Sequence, residues 1–223
     1  MENAANSPSA YAACPLFAGF TPQEIAALLP RLQVSERLYD RGEFLLLSGQ
    51  PVSGFGIVLE GSLHVLTEDF WGRRSILGSV GPGELFGEAF VCAGIPELPV
   101  SVMADSRALV AWIGSGGLDQ LRHQPSSEGQ RLMDNLLRIL AGKNRMLTQK
   151  IGHMSKNSTR EKLLSYLSAE ARRAGSDRFA IPFDRQQLAD YLGVERSAMS
   201  AVLSSMRREG LVDYHKNSFL LKK

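Results

Sequence analysis

The sequence is poor in cysteine, with only Cys14 and Cys92 among 223 residues. They lie far apart and neither belongs to a metal-ligand spacing, so a reduced, cytoplasmic protein is the expectation. Long apolar runs are missing as well. None approaches the roughly 18 residues that a membrane span requires, so no membrane partner is expected. Met1–Ala13 lacks both a basic n-region and an apolar h-region, which argues against a secretory leader and for a mobile tail. An excess of one charge is also absent overall: 25 Lys and Arg stand against 23 Asp and Glu, a net charge of +2. No nucleophile–base set, metal spacing or phosphate-binding P-loop shows along the chain, so an enzyme is not expected. What remains is 44% hydrophobic and 22% charged, a globular composition long enough for two ordinary domains.

The near-neutral total hides an asymmetry. From Lys156 onward there are 13 Lys and Arg against 8 Asp and Glu, for +5, while the preceding residues carry 12 against 15, for −3. A basic C-terminal end suits contact with phosphates by counterion release. That end also holds the most informative stretch, Asp184 to Gly210. Leu188, Ala189 and Leu192 lie at helical spacing before Gly193, and Val194, Met199, Val202 and Leu203 form an apolar face after it. Arg196, Ser197, Ser200 and Ala201 point the other way. Two short helices around a glycine turn resemble a helix-turn-helix, whose second helix enters the DNA major groove. An ordinary helical pair is the plainer alternative. Leu211–Leu220 then predicts two strands around His215-Lys216-Asn217, a winged extension.

Earlier in the chain, Thr21-Pro22-Gln23-Glu24 predicts a capped helix start, with Ile25, Leu28, Leu29 and Leu32 as its apolar face. From Leu38 to about Ile113, short apolar runs alternate with glycines such as Gly42, Gly49, Gly54, Gly61 and Gly83. The runs include Phe44–Leu47, Phe55–Leu59, Leu63–Leu66, Ser75–Leu77, Pro99–Val102 and Ala108–Ile113. Short strands with regular turn signals imply an antiparallel barrel or roll.

A long helix is expected from about Ser127 to Met154. Met133, Leu137, Leu140, Asn144, Leu147, Ile151 and Met154 repeat at alternating spacings of 4 and 3, a heptad seam. Leu132, Leu136, Ile139 and Met146 form a second stripe beside it. We expect this second stripe to pack on the β domain and the seam to meet its copy in a second subunit, with Asn144 fixing register; burial within one subunit is the alternative. Ser158-Thr159-Arg160-Glu161 predicts a capping box, so Lys156-Asn157 marks a hinge before a helix ending near Gly175. Ser176–Arg178 is expected to be a surface loop. The fold class is α+β: an N-terminal antiparallel β roll (a cupin-like double-sheet jelly roll) over 1–126, a dimerisation helix over 127–155 and a winged helix-turn-helix over 156–223.

This order of parts resembles the Crp/Fnr superfamily of bacterial transcription regulators over nearly the whole chain. The most specific local marks are Gly56–Val65, Gly83-Glu84-Leu85-Phe86-Gly87-Glu88 and the winged helix-turn-helix. The resemblance implies a homodimer on a pseudo-palindromic site in double-stranded DNA, governed by an effector at the β roll. In cyclic-AMP-binding members a Gly-Glu pair approaches the ribose and an Arg-Ser pair some ten residues later binds the phosphate. Gly87-Glu88 matches the first pair, but Leu98-Pro99 stands in place of the second. A phosphate there would lose its cation and meet a proline with no N–H, so cyclic AMP is not the expected effector. Gly87, Glu88, Leu98 and Pro99, with Arg145 and Thr148 of the long helix, are the candidate effector residues, and Glu88 also has a purely structural reading. Two cysteines cannot supply the four ligands of an iron–sulfur cluster. His64, His123, His153 and His215 show no local pattern of a haem ligand; Cys92, in the cassette loop, reads as a buried or tolerated free thiol, with a thiol switch as the alternative. No cofactor or metal is assigned.

By the same resemblance, Arg196 matches a base-contacting arginine of the cyclic-AMP-receptor branch, able to grip guanine in a bidentate contact. Ser197 stands where both main branches carry glutamate, Ser200 matches a base-contacting serine of the oxygen-sensing branch, and Ala201 replaces an arginine. Arg185 and His215 match phosphate-contacting positions, with Lys216 and Asn217 beside them. RNA polymerase is a candidate partner for the 174–178 loop. The competing reading is a ligand-binding signalling protein that acts through protein partners without DNA; it leaves Arg185, Arg196, His215 and the basic C-terminal end unexplained.

Overall fold

The computed structural model describes residues 8–68, 71, 74–123 and 126–222. The chain divides into two compact units, Met1–Leu140 and Ala141–Lys223.

In the first unit, two four-stranded antiparallel sheets form the roll. One has the order β1 (Ser35–Tyr39), β8 (Ala108–Gly114), β3 (Gly54–Glu60), β6 (Leu85–Phe86). The other has the order β2 (Phe44–Leu46), β7 (Ser101–Ala104), β4 (Leu63–Glu68), β5 (Arg74–Val80). β1 and β6 lie outside the apolar runs of the sequence and carry no alternating apolar pattern of their own. The period-2 alternation of β3 and β8 serves two cores. Phe55, Ile57, Ala111 and Ile113 face a helical layer, whereas Val58, Ala108 and Val110 face the interior between the sheets.

The helical layer contains α2 (Pro22–Arg31), α4 (Ser115–His123) and the first half of α5 (Ser127–Met154). The capping box at Thr21 forms as expected: Glu24 N–H donates to Thr21 Oγ1 at 3.2 Å and Thr21 N–H donates to Glu24 Oε2 at 2.7 Å. Ile25, Leu28, Leu29 and Leu32 are all buried. The mobile tail expected over Met1–Ala13 is partly overturned. Residues 1–7 lie outside the described residues, but Pro8–Ala12 is a helix, α1, and Tyr11 and Cys14 are buried beside Leu16 and Phe17. The Tyr11 hydroxyl donates to Glu36 of β1, and burial pushes the phenol pKa up. Asn135 of α5 holds the following turn, donating from Nδ2 to the carbonyls of Leu16 at 3.0 Å and Ala18 at 2.9 Å.

The two stripes of α5 separate largely as expected. Leu132 and Leu136 are buried in the first core, whereas Leu137, Leu147 and Ile151 stand 64%, 60% and 66% exposed. The division is not clean. Met133 and Leu140 of the seam pack in part against the same core, and Met146 of the second stripe is exposed.

In the second unit, α6 (Thr159–Ala174) opens on Ser158, whose hydroxyl accepts from Glu161 N–H at 3.2 Å. The expected capping box forms only by half, because Glu161 Oε2 reaches past Ser158 to Asn157 N–H at 3.1 Å. Across the Lys156–Asn157 turn, the last turns of α5 are tied down rather than free. His153 is buried, its Nδ1 2.9 Å from Ser165 Oγ and its ring edge-on to Tyr166. The expected surface loop at Ser176–Arg178 also ends early. Arg178–Ala180 is a strand, β9, which pairs with β11 (Ser218–Leu221), itself paired with β10 (Val212–His215), so the wing has three strands, not two.

Candidate functional site

The second unit builds its exposed site on two helices. α7 (Arg185–Leu192) is closed at its start by a complete capping box: Gln187 N–H donates to Asp184 Oδ1 at 2.8 Å and Asp184 N–H to Gln187 Oε1 at 2.9 Å. It ends at Gly193, at φ +61°, the left-handed conformation that lets the chain turn sharply into the next helix. α8 (Arg196–Arg208) follows, with Glu195 as its N-cap. The Glu195 carboxylate accepts from Ser197 N–H at 2.9 Å, from Ala198 N–H at 2.8 Å and from the Ser197 hydroxyl. These bonds, the Ser197 hydroxyl foremost, hold its pKa below the usual carboxylate range. The helix start therefore already carries an anion.

One face of α8 is inside: Met199, Leu203 and Met206 are buried with Leu188, Ala189 and Leu192 of α7. The other presents Arg196, Ser197, Ser200, Ala201 and Ser204 to solvent, the row expected from the periodicity with Ser204 added. The serine hydroxyls are partly engaged. Ser200 Oγ donates to the Arg196 carbonyl and Ser204 Oγ to the Ser200 carbonyl, each at 2.9 Å, leaving oxygen lone pairs free to accept.

Arg185, matched to a phosphate-contacting position, is half-buried. Its guanidinium lies over the rings of Tyr214 at 4.7 Å and Phe219 at 5.0 Å, and burial lowers its pKa. The wing turns at Lys216, at φ +52°, and His215 and Lys216 are exposed at its tip. Asn217 is used structurally, its Nδ2 donating to the Ile181 carbonyl at 3.1 Å while its own carbonyl accepts from Ile181 N–H at 2.9 Å. Two participants escaped the sequence reading. Glu195 is not among the common N-cap residues, so nothing marked it, and Tyr214 looked like any apolar strand residue.

In the first unit, Gly87 at φ +80° starts α3 (Glu88–Ala93), and Glu88 is 2% exposed. Leu98 is buried and Pro99 exposed. The Leu98 backbone is consumed by the loop before β3: its N–H donates to Gln50 O at 3.0 Å and its carbonyl accepts from Gly49 N–H at 2.8 Å. Neither residue offers a cation or a free N–H there. Arg145 and Thr148 belong to the second unit, both exposed, with the Thr148 hydroxyl donating to the Asn144 carbonyl at 3.0 Å.

Comparison with known proteins decides the family. Residues 36–124 match the model of the cyclic nucleotide-binding domain, and residues 161–222 match that of the Crp-like helix-turn-helix domain. The chain belongs to the Crp/Fnr family of transcription regulators. This Crp/Fnr chain is 26% identical over 198 residues to the cyclic AMP receptor protein of Thermus thermophilus, covering 89% of this chain and 88% of the relative. It is 27% identical over 188 residues to the transcriptional activator protein FnrL of Cereibacter sphaeroides, covering 79% and 71%. Its fold is that of the c-di-GMP responsive global regulator CLP of Xanthomonas campestris, with a TM-score of 0.61 at 20% identity over 89% of this chain and 99% of that one. These relatives are regulators rather than enzymes, and this Crp/Fnr chain is a transcription regulator with a DNA-binding helix-turn-helix. Among the described residues no helix is long and apolar enough to cross a membrane.

Proposed function

We propose that the chain is a cytoplasmic homodimer that reads a pseudo-palindromic DNA site and responds to an effector other than cyclic AMP. The observation that carries the DNA reading is the exposed row Arg196, Ser197, Ser200 and Ala201 on α8, opposite the buried Met199 and Leu203. Arg196, in the first turn, suits a bidentate grip on guanine O6 and N7. Ser200 retains acceptor lone pairs, and Ala201 suits a thymine methyl. Arg185, His215 and Lys216 take phosphates, which fixes orientation without reading sequence. Support for the dimer is the exposed Leu137, Leu147 and Ile151, an apolar stripe on one helix.

The effector reading is supported by the neutral, hydrogen-bonded backbone at Leu98 and by the absence of a cation at that pair. An effector that binds one arrangement of the paired long helices better than another shifts the spacing of the two recognition helices and so the affinity for DNA. Selection of bound duplexes from a randomised pool tests the whole reading. It should return an inverted repeat with half-sites about one helical turn apart. Failure to enrich any sequence would sink it.

A further inference from the structure

Tyr214 engages more cation than a strand residue needs for packing. Its ring lies under two guanidinium groups, Arg185 at 4.7 Å and Arg207 at 5.3 Å from the ring centroid. Arg185 opens α7, Arg207 stands near the end of α8, and Tyr214 belongs to β10 of the wing. One side chain thus touches all three parts of the exposed site.

Each contact is reinforced. Arg185 also lies 5.0 Å over Phe219, whose ring is 5.8 Å from that of Tyr214 and tilted by 37° to it, so two aromatic rings share one guanidinium. Phe219 stacks in turn on Phe179 of β9. Arg207 is held by Asp213, the neighbour of Tyr214, with Nε 2.9 Å from Oδ1. Stacking occupies the flat face of a guanidinium, while its five N–H donors lie in the plane and point outward from the edge. An arginine gripped by its face therefore keeps the donors that a phosphate needs, in an orientation set by the ring. A freely rotating arginine would have to be ordered at the moment of binding instead.

We infer that Tyr214 is a positioning residue for DNA binding, holding the Arg185 guanidinium by its face with the N–H edge presented to a phosphate. It couples that grip to the wing strand that continues into His215 and Lys216. The inference rests on the proposed reading of the second unit as the DNA-contacting part. Tyr214 itself touches no nucleotide; it acts through Arg185. The hydroxyl is dispensable and the aromatic face is not.

The test uses the full chain and a random-sequence duplex of about 30 base pairs, with affinity measured over a series of sodium chloride concentrations. Arg185→Ala should weaken binding and lower the salt slope by about one unit per subunit. Tyr214→Leu keeps apolar bulk and removes the aromatic face; it should reproduce the loss, weakening binding about tenfold at low salt with the same drop in slope. Tyr214→Phe should retain both affinity and slope. In the double variant, Tyr214→Leu should cost nothing beyond Arg185→Ala alone, because the coupled pair is lost once. Additive losses, or a Tyr214→Leu protein with the wild-type slope, would overturn the coupling. If Tyr214→Leu fails to fold, Arg185→Lys decides: it keeps the charge but loses the planar N–H edge that the ring orients, so it should keep most of the salt slope yet bind several-fold more weakly than the wild type. A lysine variant with wild-type affinity overturns the inference. A wild-type chain that binds no duplex at any salt would overturn the DNA reading itself, an outcome distinct from additive losses in a chain that binds.

Discussion

Gly49 donates its backbone N–H to the carbonyl of Leu98 at 2.8 Å. With Leu98 N–H also spent, on Gln50 O at 3.0 Å, the Leu98-Pro99 pair proposed to stand in place of the phosphate-binding Arg-Ser has neither a charge nor a backbone donor to give. A phosphate placed there would be desolvated without repayment. Cyclic AMP should therefore give no binding heat by titration calorimetry at physiological salt. A dissociation constant in the micromolar range or tighter would show that a cation from elsewhere has taken over the missing arginine's role.

Gly56 is fitted to Phe86. A Cβ on Gly56 would stand 2.2 Å from Phe86 Cζ, and Phe86 in turn packs edge-on against Trp112 with centroids 5.3 Å apart. Gly56→Ala should force the ring to move and cost about 1–3 kcal/mol, as overpacked cores do. Thermal unfolding should show the loss, and the near-ultraviolet circular dichroism of the aromatic residues should change with it. An alanine variant as stable as the wild type would mean that Phe86 relocates freely.

His153 predicts a pH dependence of the second unit. Burial lowers its pKa below the ordinary 6.5, Arg172 and Lys156 push the same way, and Glu170 opposes them. The unfolded chain thus takes up the proton first as pH falls. The stability from neutral His153 is complete above about pH 6.5 and is lost as pH drops toward the lower folded value. His153→Gln, which stays neutral, should flatten the unfolding midpoint over that interval. Glu209, lowered from 4.5 to about 2 chiefly by the Arg160 hydrogen bonds, titrates in a separate, more acid window. Parallel wild-type and variant curves down to about pH 5 would exclude a role for His153.

The proposed dimer seam is best probed where it does not share the subunit core. Leu140 packs partly in that core, whereas Leu147 and Ile151 are 60% and 66% exposed. Leu147→Glu with Ile151→Glu should yield folded monomers in sedimentation, with DNA affinity reduced because the two half-sites are no longer bound together. Persistence of the wild-type sedimentation coefficient would move the interface off α5.

Arg196→Ala tests the reading of bases. It should flatten preference at one base pair in each half-site, a loss of roughly 1–3 kcal/mol of discrimination, while leaving binding to unrelated sequences little changed. Selections repeated with the variant would measure this. An unaltered base preference would remove Arg196 from the major groove.

Much of the molecule follows from local chemistry in the sequence. The Thr21 and Asp184 caps, the glycine turn at Gly193, the strands carried by Phe55–Leu59 and Ala108–Ile113, and the run of α5 from Ser127 to Met154 are set by periodicity and by residues within a few positions of one another. So is the exposed row on α8, because a 3.6-residue period decides which side chains oppose Met199 and Leu203. Other features depend on residues far apart in the chain, and only tertiary packing could decide them. β1 and β9 carry little pattern of their own and become strands because β8 and β11 offer them an edge. Tyr11 and Cys14 are ordered by a core and by a carboxylate that arrive later in the sequence. Glu161 chose Asn157 over Ser158, a choice between two adjacent N–H groups that spacing alone does not resolve. The pairing of Arg185 with Tyr214 is of the same kind: the two lie 29 positions apart and meet only because the wing folds back over the start of α7, where an aromatic face meets a guanidinium.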